Sequence, residues 1–385
     1  MTQYKFTILM PCLNEAETIG ICIKKAKAWI SRTKYKCEIL IADNGSTDNS
    51  VKIARSMGAR VVNVSHKGYG NAIYYGVLAS KGESIIVADA DDSYDFSRLD
   101  NFSDKLVQGY DFVIGNRFSG GIAPGAMPFK NRYFGNPILS FIGRVLFNIK
   151  IRDFHCGIRA FRKETFLQMD LRTVGMEFAS EMVIKCSLIE CRIIEVPTTL
   201  SKDGRSRKPH LRPWRDGWRH LRFMLLFSPS WLFIFPGVLI FCTAMFLYAA
   251  LFISPLQILK FRFDMYTMFY MQSSIIIALL MILFGILTRV YSIREGLMKT
   301  NSFYELFRTN FVLEIGSLIG GLIFTIGISK LYEAVGLWRK LNFSDINIGK
   351  EFFKIVSLST LFIEFGAVIL LFSLIFGFLQ LPARK

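Results

Sequence analysis

Two carboxylates spaced i, i+2 directly after a buried-looking apolar run carry the most chemical content in this sequence: Ser84-Ile-Ile-Val-Ala-Asp89-Ala-Asp91-Asp92. Aspartates crowded in this way repel one another unless a positive charge offsets them. A divalent cation does so, and Mg²⁺ or Mn²⁺ prefers carboxylate oxygens together with substrate phosphates. A diphosphate gripped by such an ion becomes a better leaving group. Asp89 and Asp91 are therefore the candidate metal ligands. The alternative for a bare D-x-D is a solvated acidic loop, and the strand-like run before it argues against that.

Three further polar clusters share this setting. Pro11-Cys-Leu-Asn14-Glu15 follows one apolar run, and Asp43-Asn-Gly-Ser-Thr-Asp48 follows another. Each places carboxylates or amides where they can hydrogen-bond a base or ribose, although the second also reads as a turn with a helix cap. Gly68-Tyr-Gly70-Asn-Ala72 opens a helical pattern and would let backbone amides approach a phosphate.

The elements that must hold these residues alternate. Strand-like segments at 6–10, 38–42, 60–64, 84–88 and 111–115 are separated by helix-like segments at 16–31, 51–57 and 71–80, with Pro11 ending the first strand and Asn14 available as a cap. This alternation implies βαβ units and a mostly parallel sheet. Ligands of such sheets bind beyond the carboxyl ends of the strands, where the polar clusters fall. The fold class is thus α/β and Rossmann-like for the first half.

The second half differs. Residues 231–253, 269–287, 312–328 (continuing towards 332) and 355–378 are long runs nearly free of charge, interrupted only by Glu314 and Glu364. About 20 apolar residues cross a bilayer core, so four membrane helices are expected. The net charge of +17 raises nucleic acid as a partner, but Lys202, Arg205, Arg207, Lys208, Arg212, Arg215, Arg219 and Arg222 crowd just before the first apolar run. Basic residues there mark a cytoplasmic membrane flank, which favours a membrane surface over nucleic acid. Trp214, Trp218, Leu221 and Leu225 recur at helical spacing among Arg215, Arg219 and Arg222, as in a helix lying in the headgroup layer. The expected organisation is a catalytic domain at 1–210, an amphipathic interfacial connector at 211–229 and a four-helix transmembrane domain at 230–385. The first 15 residues show no signal-peptide pattern, so residues 1–225 are expected in the cytoplasm of a multi-pass inner-membrane protein. Seven cysteines without a CxxC pair read as small apolar residues in a reducing compartment.

The order P-x-x-N-E, D-N-G-S-T-D, G-x-G-N-A and D-A-D resembles the GT-A glycosyltransferases of family 2. Gly115-Asn-Arg117-Phe, Arg132-Tyr-Phe-Gly-Asn136, Asp153-Phe-His-Cys-Gly157-Ile-Arg-Ala-Phe161 and Glu195-Val-Pro197 narrow it to the dolichyl- and polyprenyl-phosphate mannose and glucose synthases. The likeness spans about residues 5–225. It implies that Pro11, Asn14, Glu15 and Asp43 hold the nucleoside, that Gly70 and Arg205 join them in binding the nucleotide sugar, and that Asp89 and Asp91 hold the metal and diphosphate. It also implies that Arg117 and Arg132 bind the lipid phosphate and, with Asp91, form the catalytic set. Arg207 and Lys208 are further phosphate candidates. Two departures stand out: Ser93 occupies a position where some relatives have glutamine, and Tyr69 one where many have lysine. Glu177 and Glu181, one helical turn apart, read either as acceptor or sugar contacts or as structural groups.

The implied reaction moves a hexose from UDP-glucose or GDP-mannose to a polyprenyl phosphate with inversion. The acceptor oxygen is already ionised, so no strong base is required. That suits a sequence of four histidines with no evident His–Asp pair. Two rivals remain: a processive polysaccharide synthase, whose Q-x-x-R-W segment is missing here, and a catalytically dead membrane scaffold or lipid transporter, which loss of Asp89 or Asp91 would mark. The sequence leaves the sugar, the lipid length and homo-oligomerisation open.

Overall fold

The computed structural model describes residues 4–206, 213–258, 260–294, 298, 311–340, 343 and 350–380. The chain divides into two compact units, residues 1–227 and 228–385.

In the first unit seven strands form one sheet in the order β3-β2-β1-β4-β6-β5-β7. They are β1 (Phe6–Cys12), β2 (Cys37–Asp43), β3 (Arg60–Asn63), β4 (Ser84–Val87), β5 (Phe112–Asn116), β6 (Arg159–Arg162) and β7 (Ile193–Pro197). The first four pair in parallel, β6 runs antiparallel between β4 and β5, and β5 and β7 are parallel. β1 and β4 are buried along their whole length, as strands covered on both faces by helices must be. The helices are α1 (Ile19–Ile30), α2 (Ser50–Ser56), α3 (Tyr69–Ala79), α4 (Asp100–Val107), α5 (Arg117–Gly120), α6 (Asn136–Phe147), α7 (Lys163–Gln168), α8 (Phe178–Leu188) and α9 (Pro213–Leu226). A π-helical turn, Asn131–Gly135, leads into α6.

Two local expectations change. Pro11 does not end β1, which pairs on through Pro11↔Ala42 to Cys12↔Asp43. The ladder to β4 stops at Leu9↔Val87, so a residue without an N–H is tolerated just beyond it. Asn14 does not cap α1, whose N-cap is Thr18; Asn14 instead takes a left-handed conformation and bonds to the loop after β2.

α9 packs His220, Phe223 and Met224 into the first unit and leaves Arg215, Trp218, Arg222 and Leu226 exposed. α6 has a similar two-sided character. Ser140 and Gly143 are buried against Phe154, while Ile138, Phe141 and Val145, with Phe129, Tyr133 and Phe134 just before, stand exposed.

The second unit contains α10 (Phe235–Ile253), a short hairpin of β8 (Leu256–Ile258) and β9 (Phe261–Phe263), α11 (Met265–Arg294), α12 (Phe311–Lys340) and α13 (Lys350–Gln380). Among the described residues four helical stretches, Ser230–Ile253, Met265–Arg294, Leu313–Lys340 and Glu351–Leu379, are long and apolar enough to cross a membrane. α12 and α13 approach closely at glycines: a Cβ on Gly366 would lie 2.5 Å from the Phe324 nitrogen. Small residues of this kind let backbones meet where lipid offers no hydrophobic drive. A polar chain joins Tyr248, Ser357, Gln272, Thr360 and Glu364 across α10, α11 and α13, giving these side chains partners where water is absent. Lys299, Arg308 and residues 383–385, which bear on loop charge and topology, lie outside the described residues.

Candidate functional site

β2, β1 and β4 are neighbours in one parallel set, so their carboxyl ends open on the same edge of the sheet. The loops there are stitched together. Asn14 donates from its backbone to Ser46 Oγ at 2.9 Å and accepts from Thr47 N at 2.7 Å. Thr18 Oγ1 donates to the Ala90 carbonyl at 2.7 Å, fastening the start of α1 to the acidic loop after β4. Asn44 Oδ1 accepts from Gly68 N at 2.8 Å, drawing in the glycine segment. The four polar clusters are thereby brought to one place.

Within it, both carboxylate oxygens of Asp91 are engaged. Its Oδ1 accepts from Ser93 N and Oγ at 3.1 and 2.6 Å, and its Oδ2 accepts from Arg205 Nη2 at 2.7 Å. The same guanidinium reaches Glu15 Oε2 through Nε at 3.0 Å. Asp89 lies beside them, and burial, then the neighbouring Asp91 charge, push its carboxyl up to about 6, partly offset by a hydrogen bond from the Tyr69 hydroxyl. Tyr69, from the glycine segment, thus lies against the acidic pair. Asp92 turns away in a left-handed conformation and pairs with Lys25 at 2.6 Å.

Four predicted residues behave differently. Asp43 spends its carboxylate on its own turn, accepting from Gly45 N and Ser46 N at 3.2 Å. Gly70 is not an open amide for phosphate: its N–H donates to Val174 O at 3.0 Å. A Cβ there would lie 2.7 Å from the Thr173 carbonyl, so glycine is required by close packing. Arg117 is buried, and its fork holds Asp153 through Nε at 2.8 Å and Nη2 at 2.7 Å. Among the described residues only Nη1 of that fork lacks a bonded partner. Arg132 is half-buried on the π-helical turn, against the Tyr133 ring, and shares no hydrogen bond with this cluster among the described residues. Pro11 sits in β1 next to these loops, whereas Arg207 and Lys208 lie outside the described residues.

Glu181 is structural. Almost fully buried, it accepts from the backbone of Arg172 and Thr173, from the Thr173 hydroxyl at 2.6 Å, and pairs with Lys185. Glu177 folds back on Gly175.

Sequence reasoning missed the segment from Asp153 to Gly157 as a connector. Asp153 holds Arg117, and Gly157 packs against Asp89. Between them His155 stands edge-on to His220 of α9 at 4.5 Å, and Ser180 Oγ lies 2.8 Å from His220 Nδ1 and 3.4 Å from His155 Nε2. Burial, then His220, Arg117 and Arg159, hold His155 well below the usual histidine range, so it is neutral at physiological pH. In the sequence His155 was visible only as part of the family-like segment Asp153-Phe-His-Cys-Gly157. Gly157 is tightly fitted: a Cβ would lie 2.7 Å from Asp89 Oδ2 and 3.0 Å from the Tyr94 ring. Gly157→Ala is expected to displace Asp89 and weaken Mn²⁺-dependent nucleoside diphosphate binding by about tenfold or more, since small misplacements at such sites are expensive. Unchanged affinity in a calorimetric titration would show that this segment does not set Asp89.

Among the described residues no three His, Cys, Asp or Glu side chains converge as a metal-binding group. Asp89 and Asp91 nevertheless offer hard oxygen donors, and the Arg205 guanidinium already stands on Asp91 as a cation. That donor set fits a Mg²⁺ or Mn²⁺ ion that takes its remaining ligands from a diphosphate.

A mixed, mostly parallel sheet with an acidic pair after its fourth strand, followed by a set of apolar helices, defines a GT-A-type glycosyltransferase joined to a membrane region. Residues 7–169 match the glycosyl transferase family 2 model, and residues 286–380 match that for the family 2 C-terminal transmembrane region. The chain is 32% identical over 221 residues to the dolichyl-phosphate hexose transferase of Haloferax volcanii, covering 56% of this chain and 92% of that one. It is 37% identical over 232 residues to the low-salt glycan biosynthesis hexosyltransferase of the same organism, covering 60% of this chain but 55% of that relative's length. The chain belongs to glycosyl transferase family 2 and is a membrane protein. A glucosyl-3-phosphoglycerate synthase from Mycobacterium tuberculosis, solved with Mn²⁺ and UDP, aligns with 58% of this chain and 79% of its own at 18% identity and a TM-score of 0.46.

Proposed function

We propose that this protein transfers a hexose from a nucleotide sugar, UDP-glucose or GDP-mannose, to a polyprenyl phosphate at the cytoplasmic face of the cell membrane, inverting the anomeric centre. The observation that carries the reading is the joining of Asp91, Glu15 and Arg205 at the carboxyl edge of the sheet, in the unit that also exposes the aromatic strip before and along α6. The similarity to a dolichyl-phosphate hexose transferase supports a lipid phosphate acceptor.

Asn14, Glu15 and the turn built by Asp43 form the nucleoside side of the site. Asp89 and Asp91 face the diphosphate, where a divalent ion, when bound, offsets the charge of the departing nucleotide. Arg205 offers a planar fork to the same phosphates. Arg132 takes the acceptor phosphate, and Arg117 adds Nη1 while Asp153 holds the rest of its fork. An ionised phosphate oxygen attacks C1 directly, so these residues position and neutralise and no side chain removes a proton.

The lipid chain stays in the bilayer, because each CH₂ exposed to water costs about 0.8 kcal/mol. Phe129, Tyr133, Phe134, Ile138, Phe141 and Val145 form an exposed apolar strip bearing Lys130, Arg132 and Arg144, chemistry suited to the headgroup layer. On this reading Arg132 lies at the depth of a lipid phosphate.

The test is transfer of label from a panel of nucleotide sugars to polyprenyl phosphate in membranes holding the protein. Arg132→Ala is expected to raise the acceptor KM about tenfold, the weight of one charge-assisted contact, with the donor KM unchanged. Label appearing only in water-soluble product would overturn the lipid acceptor, and an altered donor KM alone would move Arg132 to the other substrate.

A further inference from the structure

Arg205 does more in this geometry than wait for a phosphate. Its guanidinium bridges two carboxylates from different strand ends, Glu15 Oε2 at 3.0 Å and Asp91 Oδ2 at 2.7 Å, and only 11% of its side chain is exposed. The segment that carries it is fastened to the same loop. Gly204 N donates to Asp91 O at 3.0 Å, Ser201 N donates to Ser93 O at 2.9 Å, and Ser206 donates from its backbone and its hydroxyl to Glu17. A fixed backbone thus aims a fixed charge at the acidic pair. Asp91 has no idle oxygen, since Oδ1 serves Ser93.

We propose that Arg205 is the resident cation of the donor-free site, and that a divalent ion gains Asp91 only when a nucleotide diphosphate arrives with it and draws the guanidinium across. This rests on the reading of the site as one for a nucleotide sugar. The electrostatics set the order. An ion arriving alone must break a charge-assisted bond between largely buried partners. It then shares the acidic pocket with a guanidinium that the 201–206 segment does not let leave. Two like charges at such separation repel strongly where solvent screening is weak. A diphosphate changes the balance: its oxygens ligate the ion and accept the Arg205 fork together, so the guanidinium exchanges a carboxylate oxygen of Asp91 for a phosphate oxygen and the ion takes the carboxylate oxygen it gives up. Metal and nucleotide therefore bind as one unit. Arg205 also keeps Glu15 and Asp91 neutralised between turnovers, which a site with this crowding needs.

The test uses the full chain in detergent, with Mn²⁺ binding read by electron paramagnetic resonance of the free ion and no sugar transfer involved. Wild type is expected to bind Mn²⁺ weakly alone and at least about tenfold more tightly with UDP or GDP, tenfold being 1.4 kcal/mol. Arg205→Gln is expected to bind Mn²⁺ alone about tenfold more tightly than wild type and to gain less from nucleotide. Arg205→Lys, which keeps a charge but not the fork, should stay near wild type for the ion alone. Equal affinity of wild type and Arg205→Gln for Mn²⁺ alone would overturn the proposal. So would tight Mn²⁺ binding that survives Asp91→Asn, which would put the ion elsewhere. Absence of labelled lipid in the transfer assay would instead overturn the acceptor reading and leave these titrations standing.

Discussion

Asp91→Ala is expected to abolish sugar transfer, lowering the rate by at least about 10²–10³-fold, the range lost when one preorganised electrostatic group is removed from such a site. Three bonds converge on this carboxylate, two from Ser93 and one from Arg205, and none of them contributes to the hydrophobic core. The variant should therefore still be made and inserted. It loses its hold on the ion and also frees one arm of the Arg205 fork, which keeps Glu15 as its partner. Labelled lipid product from membranes matched for protein content gives the measurement. Transfer within tenfold of wild type would remove Asp91 from the machinery and with it the metal assignment. Asp91→Asn, nearly the same shape without the charge, should be as inactive; recovery there would mean that shape rather than charge matters.

The second large effect concerns stability. Asp153→Ala is expected to cost about 3–5 kcal/mol, because it strips the partner from a buried guanidinium. Asp153 is fully buried and accepts three bonds from Arg117, one from the backbone nitrogen at 3.0 Å and two from the fork. The segment is further anchored where Asp153 N donates to Glu195 Oε1 at 2.8 Å. Removing the carboxylate leaves a charge that neither water nor protein compensates, and it frees both the turn at 115–121 and the segment that packs on Asp89. The unfolding midpoint of the full chain, followed by intrinsic fluorescence in detergent, should fall by many degrees. Replacing Arg117 by methionine together with Asp153→Leu should recover much of the loss, since an apolar pair of similar volume can replace a buried ion pair. A single Asp153→Ala variant as stable as wild type would show that the pair is not desolvated.

These two carboxylates differ in how they could have been found. Asp91 was visible at once, because a D-x-D after an apolar run is a local pattern and its chemistry follows from two charges two residues apart. Asp153 was visible only as part of a family-like segment, and nothing local tied it to Arg117, 36 residues earlier. Arg117 itself was expected to meet a phosphate, and its position after β5 was legible, but the burial of its fork was not.

The sequence by itself determined the strand–helix alternation, the placing of the polar clusters after β1, β2 and β4, and the four long apolar helices. Each of these follows from backbone periodicity and from the length of chain that water or lipid tolerates, properties of neighbouring residues. Only the tertiary structure decided that Asn14 joins the loop after β2, that Gly70 is needed for packing, that Glu181 is structural, and that α6 exposes an aromatic strip. It alone brought Arg205 to Glu15, 190 residues away, and to Asp91, 114 away. Such pairings depend on which loops the sheet order makes neighbours, and a guanidinium records no partner in the residues beside it.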